Sequence, residues 1–397
     1  MNKISKYNLM LILLVYLLCF IGLVFIYSAS NYNASKNYGD AFLFVKKQLF
    51  GLIVGSVFLF VMCKFDYHKL VKLRWYILGV SGLMLVLVFV PFLSVSANGA
   101  NRWINILGIS IQASEIAKFG FVIFSSIYIS KNYQKMKTLK GFLPVVLVGG
   151  GMCLLILLEP NLSVTLCLGM VMLLMLLVGG ISFKWFMLLL IPALCLVPVL
   201  IIIEPYRFQR LIAFVDPWAN PLEEGYQLIQ SLYSLGAGGL FGVGLFNSRQ
   251  KYLFLPFSES DFIFSIIGEE TGLVGCIILF LIYIAIISLG LKIALNAKDR
   301  LGAYMAFGIV SVIFCQLLIN LCVCTGLIPP TGIPLPFISA GGSSLVVFLG
   351  AIGILLNISK CSRESSDIKQ NKFWKFNLFK VGQRDKKAIG EAQKSRV

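Results

Sequence analysis

The sequence predicts an all-α, polytopic membrane protein with about ten transmembrane helices and a large extracellular loop between helices 7 and 8. Three observations predict it. Hydrophobic residues make up 58% of the chain and charged residues 13%, with a mean hydropathy of +0.90, which is not the composition of a soluble globular protein. Apolar runs long enough to cross ~30 Å of hydrocarbon as helix recur from end to end. Cationic residues gather in alternate connections instead of being spread evenly.

The runs lie near 8–28, 48–63, 76–96, 115–130, 141–158, 162–180, 185–203, 262–291, 303–326 and 339–358. Lys3 and Lys6 before the first run, and Ser28-Ala29-Ser30 after it, resemble a secretory signal. The run is too long for one, so an uncleaved first helix is expected. The second run is short, and the fourth carries Glu115 and Lys118 in its opening turn. Residues 1–358 therefore form one transmembrane domain, with its large loop at 204–261, and 359–397 form a basic tail.

The net charge of +17 invites a nucleic-acid partner, but its distribution argues for a membrane. With the N-terminus in the cytoplasm, the inward connections carry Lys64, Lys69, Lys72 and Arg74, then Lys131, Lys135, Lys137 and Lys140, then Lys184, then Lys292, Lys298 and Arg300. This positive-inside pattern places both termini in the cytoplasm of a plasma-membrane protein. The tail is rich in lysine and arginine, with Phe373, Trp374 and Phe376 interleaved. It reads either as a segment lying on anionic lipid or as unstructured chain, and not as a nucleic-acid arm. Nine of the ten cysteines fall within or beside apolar runs and read as small hydrophobes, with Cys361 in the tail. The single histidine, His68, lies in an inward loop, which excludes a histidine-based metal site or a Ser-His triad.

Chemistry is concentrated in the outward loops. The first, about 29–47, is polar without a recognisable pattern. The second contains Arg102 beside Trp103, which reads as an interfacial anchor or as a binding group. Glu115 and Lys118, three apart, share one helix face, either as a self-neutralising ion pair or as the lining of a polar site. Glu159-Pro160-Asn161 is a cap or hinge by its spacing. The long loop carries Arg207, Arg210, Arg249 and Lys251 on the side where basic residues are disfavoured. Lipid headgroups would satisfy them, and so would a bound phosphate or diphosphate, which suits the forked donors of arginine. The glycines of GYQLIQSLYSLGAGGLFGVG permit close backbone approach, but neither a Walker nor a Rossmann loop is present. Glu259, Asp261, Glu269 and Glu270 crowd the start of the eighth run, and carboxylates at membrane depth are costly enough to be kept for function. The last outward loop, TGLIPPTGIPLPFISAGGSS, interrupts the helical pattern at a depth where irregular backbone must be buried or line a cavity. Gln316 and Asn320 point to that cavity from the ninth run. Ser343 and Ser344 open the last run, as helix caps or as part of an anion site.

Together GANRWI, QASEIAK, GYQLIQSLYSLGAGGLFGVG, SRQKYLFLPFSESDFIFSIIGEETG and TGIPLPFISAGGSS, in that order, resemble the SEDS family of FtsW, RodA and SpoVE over about residues 8–358. The SRQK run is most similar to the FtsW and SpoVE branch. The resemblance implies a peptidoglycan glycosyltransferase that polymerises lipid II into glycan strands at the outer face of the membrane. It implies a class B penicillin-binding protein and other divisome proteins as partners, enrichment at the division septum, and a role in division or sporulation. It places the essential aspartate at Asp261, the family's Glu and Lys pair at Glu115 and Lys118, and its loop arginine at Arg102. Arg207, Arg210, Gln250, Lys251, Ser343 and Ser344 complete the expected substrate-binding set, and a divalent cation, Mg²⁺, is the expected cofactor. Ala113, Glu259-Ser260, Asn161 and Ala340 depart from the family's usual residues; only the departure at Asn161 weakens a charge role. A lipid II flippase is the competing expectation, with Glu269 and Glu270 as gating or proton-relay groups.

Overall fold

The computed structural model describes residues 6–97, 100–106, 109–223 and 225–364. The helices are α1 (Lys6–Tyr38), α2 (Leu43–Lys64), α3 (Leu70–Leu87), α4 (Ala113–Asn132), α5 (Leu139–Leu158), α6 (Leu162–Gly179), α7 (Phe183–Ile203), α8 (Pro205–Val215), α9 (Tyr226–Gly238), α10 (Ile263–Leu295), α11 (Arg300–Cys324) and α12 (Gly342–Glu364). Ten of them, all but α8 and α9, are long and apolar enough to cross a membrane. A three-stranded antiparallel sheet, β1 (Ser94–Ala97), β2 (Ala100–Ile106) and β3 (Ile109–Gln112), lies between α3 and α4.

Burial sorts the helices into a core and a rim. Helices α4, α11 and α12 are the most enclosed of the spans, whereas α7 has no buried residue and carries Pro192 and Pro198 along its length. Aliphatic side chains exposed on the rim are what hydrocarbon solvates, so their exposure costs nothing in a bilayer.

Several boundaries differ from the pattern read in the sequence. Helix α1 continues to Tyr38, through residues expected in a polar loop. This stretch is tied into the protein: Ser28 Oγ donates to Glu270 Oε1 at 2.5 Å, and the Ala29 carbonyl accepts from Ser258 Oγ at 3.3 Å. The third span ends at Leu87, and the residues after it turn into the sheet, where Trp103 pairs with both Val95 and Gln112. The loop 204–261 holds α8 and α9. The last helix runs to Glu364, past the expected start of the tail at 359, and residues 365–397 lie outside the described residues.

The expected eighth span is broken. Gly272 (φ 67°, ψ −167°) interrupts α10, and the glycine-rich loop enters the gap. The Gly239 and Leu240 carbonyls accept from Leu273 and Val274 N–H at 3.0 and 3.1 Å, while Val243 and Gly244 N–H donate to the Glu269 and Glu270 carbonyls at 2.9 and 3.1 Å. The loop thus supplies the backbone partners that the break removes. Only glycine fits at 242: its φ is +80°, and a Cβ there would lie 2.2 Å from the Glu270 carbonyl oxygen.

A polar knot at the opposite end of the bundle ties the chain ends together. Tyr67 Oη donates to Asp299 Oδ1 at 2.8 Å, and Asn357 Nδ2 donates to the Cys63 carbonyl at 2.9 Å. The His68 ring sits between Asp66 (2.7 Å) and Asp299 (3.0 Å).

Candidate active site

Asp261 is delivered by a tight turn. Phe257 holds a left-handed backbone (φ 55°), and its carbonyl accepts from both Ser260 and Phe262 N–H, at 3.1 and 3.4 Å. Such strain is tolerated where surrounding structure over-determines it. The turn is then fastened to the proline-rich loop. Ser339 Oγ donates to the Ser260 carbonyl at 2.6 Å, Ala340 N–H donates to the Glu259 carbonyl at 2.9 Å, and Asn320 Nδ2 donates to the Asp261 carbonyl at 2.8 Å.

The proline-rich loop explains why α11 carries amides. Pro329, Pro330, Pro334 and Pro336 have no N–H, so helix and sheet bonding is denied to this stretch and its carbonyls need other donors. Side chains provide them. Arg210 Nη1 donates to the Pro330 carbonyl at 3.1 Å, Asn320 Nδ2 to Ile333 at 2.8 Å, Gln316 Nε2 to Pro334 at 2.9 Å, and Tyr283 Oη to Pro336. Gln316 is held in turn by Lys118 Nζ on its Oε1, and Lys118 pairs with Glu115 at 2.8 Å. Lys118 and Glu115 are 0% and 1% exposed, which removes the reading of an interfacial surface pair.

Arg102 reaches the site from β2. Its Nε and Nη2 donate to the Glu159 and Pro160 carbonyls, at 3.4 and 2.6 Å, which anchors the guanidinium at the outer end of α5. A Cβ built on Gly332 would fall 2.8 Å from Asp261 Oδ2 and 4.0 Å from Arg102 Nη1. The absence of a side chain at 332 therefore leaves room for the carboxylate beside the guanidinium. Burial pushes the Asp261 carboxyl up to about 6, against the opposing pull of Arg102 and Arg210 and with a small addition from Glu259. Burial also raises Glu259, whose Oε2 accepts from Ser258 Oγ at 3.4 Å. Glu159 is 1% exposed, both its oxygens lack a hydrogen-bond partner, and burial lifts its carboxyl to about 8 despite Arg102.

The structure thus gathers Asp261, Arg102 and Arg210 and links Glu115 and Lys118 to them through Gln316. It does not gather all the expected residues. Arg207 turns back on α7, with Nη1 donating to the Leu200 carbonyl at 3.2 Å. Lys251 is 3% exposed, donates to the Phe246 carbonyl and lies 3.9 Å from Glu270 Oε1. Its charge is engaged inside the glycine loop. Gln250 belongs to the same loop, with Oε1 buried and without a partner. Ser343, with an unpartnered buried Oγ, and the buried Ser344 open α12, which packs on α2 where Gln48 Oε1 accepts from Gly341 N–H at 3.0 Å.

The fold engages both oxygens of Glu269 and one oxygen of Glu270, whose Oε2 is buried without a hydrogen-bond partner. Ser248 Oγ (2.5 Å), Ser234 Oγ (3.2 Å) and Arg249 N–H (2.9 Å) donate to Glu269, while Ser28 Oγ (2.5 Å) and Ser248 N–H (3.3 Å) donate to Glu270. Carboxylate oxygens so engaged fasten a loop, whereas a relay or gate, the role expected of these residues in a flippase, needs an oxygen able to change partners; of the four, that is Glu270 Oε2.

The comparisons with known proteins meet this geometry. The family model described as "Cell cycle protein", that of FtsW, RodA and SpoVE, matches residues 8–364. The chain belongs to this family. It is 38% identical to "Stage V sporulation protein E" of Bacillus subtilis (strain 168), over 91% of this chain and 99% of that protein. It is 37% identical to the "Probable peptidoglycan glycosyltransferase FtsW" of Geobacter metallireducens, over 90% of this chain and 96% of that one. Among solved structures it resembles a chain of a peptidoglycan synthase complex that coordinates polymerization and crosslinking, with a TM-score of 0.73, 26% identity, and coverage of 89% and 97% of the two chains.

Within this FtsW, RodA and SpoVE fold, sequence reasoning passed over several working residues. Tyr283 stands alone as a hydrogen-bonding group in an apolar run, and that isolation is the signal that could have flagged it, whereas Gln48 follows Lys46-Lys47 at the edge of its run and had no such signal. Ser28, Ser234 and Ser248 carried no such signal, because serine is unremarkable in transmembrane helices and loops. Asn161, a departure from the family's usual aspartate, caps α6 by accepting from Val164 N–H at 3.4 Å.

Proposed function

We propose that this protein is a peptidoglycan glycosyltransferase that polymerises lipid II at the outer face of the cytoplasmic membrane, with Asp261 as its general base. The observation that carries the reading is a carboxylate set beside a bare glycine Cα and bordered by the guanidinium groups of Arg102 and Arg210. The acceptor sugar hydroxyl gives its proton to Asp261 while its oxygen attacks the anomeric carbon. The new C–O bond forms as the bond to phosphate breaks, and the electron pair leaves with the lipid diphosphate. A carboxyl near 6 is ionised at neutral pH, yet more basic than one at ~3.9 in water, which suits proton abstraction. Arg102 and Arg210 sit where charge builds on the departing diphosphate, and Arg210 is fixed by the loop that borders Asp261. The donor is an α-linked sugar and the product is β-linked, so one displacement with inversion suffices.

No cluster of three His, Cys, Asp or Glu side chains able to hold a metal exists among the described residues. Mg²⁺ fits only as an ion carried by the diphosphate and water, with no protein site of its own among the described residues. Bound there, it would add to the charge neutralisation that the arginines begin.

The relatives' names support a role in division or sporulation, for which the protein would be enriched at the septum, and the basic inward connections support cytoplasmic termini. The likeness to a synthase complex supports a transpeptidase partner, a class B penicillin-binding protein, alongside other divisome proteins and membrane lipid. The test is lipid II polymerisation by the purified protein with its co-expressed partner, the transpeptidase blocked, with and without Mg²⁺. Polymer is expected from wild type and not from Asp261→Asn. Equal polymer from both removes Asp261 as base, and none from either turns attention to lipid II transport in vesicles.

A further inference from the structure

Four carbonyls of the proline-rich loop are each met by a side chain, but only one of those side chains also touches Asp261. Asn320 Nδ2 has two hydrogens and uses them on two carbonyls, Asp261 and Ile333, each at 2.8 Å. Asn320 is 0% exposed and sits one turn beyond Gln316 on α11, so its amide cannot swing to other partners without leaving the Ile333 carbonyl unpaired and the Asp261 carbonyl with only the weak Cys324 thiol donor at 3.7 Å. Ile333 follows Gly332, whose bare Cα borders the Asp261 carboxylate. One amide thus sets the distance between the aspartate and the wall it rests against.

We propose that Asn320 is a positioning residue of the transfer step: it clamps the Asp261 turn to the proline-rich loop so that the carboxylate stays in register with Gly332 and Arg102. The proposal rests on the reading of Asp261 as general base. It assigns Asn320 no contact with substrate. A shift of about 1 Å in a reacting group costs on the order of 100-fold in rate, so the clamp governs turnover more than binding. The same shift opens the turn to water. The titratable and charged groups near Asp261 are Arg102 from β2, Arg210 from α8, Glu259 from its own turn and the Cys324 thiol from α11, and none of them is removed by a change at 320.

The experiment compares polymerisation kinetics of the full-length protein with its partner for wild type, Asn320→Ala, Asn320→Asp, Asp261→Asn and Asn357→Ala. Asn357 is the matched control: it is also buried and also donates to a carbonyl, that of Cys63, at the far end of the bundle. Asn320→Ala is expected to lower kcat about 10- to 100-fold with KM changed less than about threefold. Its acid limb is expected to move from near 6 toward the ordinary carboxylate range of ~4. Asn320→Ala and Asn357→Ala are expected to lower Tm by similar amounts, Asn357→Ala with kcat and the acid limb intact. Asn320→Asp keeps the shape of the residue and turns an acceptor toward both carbonyls. It is expected to be at least as slow as Asn320→Ala, and it decides the matter should the alanine variant not fold. A rate loss no larger than that of Asn357→Ala, or an unmoved acid limb, overturns the positioning role. Should Asp261→Asn polymerise normally, the base assignment itself falls. Should Asp261→Asn be inactive while the Asn320 variants match wild type, only the positioning role falls.

Discussion

Helix α10 and the turn before it carry two acidic clusters, and they are built in opposite ways. At Glu269 and Glu270 the carboxylate oxygens are the fastening points: serine hydroxyls and backbone N–H groups from α1, α9 and the glycine loop converge on them. At Asp261 the fastening is done on the backbone instead, by Asn320 on its carbonyl and by Ser339 and Ala340 on its neighbours. The carboxylate itself is bordered by guanidinium groups and a bare glycine. One cluster spends three of its four carboxylate oxygens on folding, and the other leaves its acid group for chemistry. Proximity of an acid to the membrane therefore does not identify a reactive group; what matters is whether its oxygens or its backbone bear the structure.

The sharpest way to break this comparison is to exchange the readouts. Asp261→Asn is expected to lose about 10²- to 10⁴-fold in polymerisation with little change in Tm. Glu269→Ala removes the acceptor of the Ser248 hydroxyl and of the Arg249 N–H, and is expected to lose about 3 kcal/mol of stability, while the protein that remains folded keeps most of its turnover. The comparison fails if thermal melts and initial rates show the reverse assignment.

Gly332→Ala tests the wall. The added Cβ would lie 2.8 Å from Asp261 Oδ2, so the carboxylate must shift, and kcat is expected to fall about 10- to 100-fold with binding of lipid II preserved. Single-turnover rates at saturating lipid II read this directly.

The pH dependence separates two buried carboxyls. The wild-type rate is expected to rise with pH through about 6 as Asp261 ionises. Stability moves the other way at Glu159. Its folded value, about 8, lies above the ordinary 4.5, so between these values the folded state holds a proton that the unfolded chain has released. Stability therefore falls as pH rises across that window. Glu159→Gln is expected to flatten the decline, with a gain on the order of 2 kcal/mol at its alkaline end, seen as a higher Tm. The smallest effect is expected at Arg207, whose guanidinium is turned to α7: Arg207→Ala should change the polymerisation rate by about twofold or less.

The sequence was most legible where physics is local. Ten spans follow from run length, because a bilayer demands about 20 apolar residues whatever the fold. Asp261, Arg102, Glu115 and Lys118 were singled out because charge in such a chain is rare and costly. Gln316 and Asn320 were legible as polar groups on an apolar helix, but their targets were not, since backbone carbonyls leave no mark in a sequence. The break at Gly272 was illegible for a related reason. A glycine in an apolar run reads as helix until another segment, here residues 239–244, arrives to fill the gap.

By itself, then, the amino-acid sequence determined the membrane class, the number of spans and the short roster of charged groups, all consequences of transfer energies that act residue by residue. Tertiary structure alone decided which charges do what. Lys251 and Glu270 were drawn into a loop, Lys118 was set to hold Gln316, and Asp261 was left with an open carboxylate. The physical reason is that a buried polar group must find its partner, and the partner is chosen by packing between segments distant in the chain.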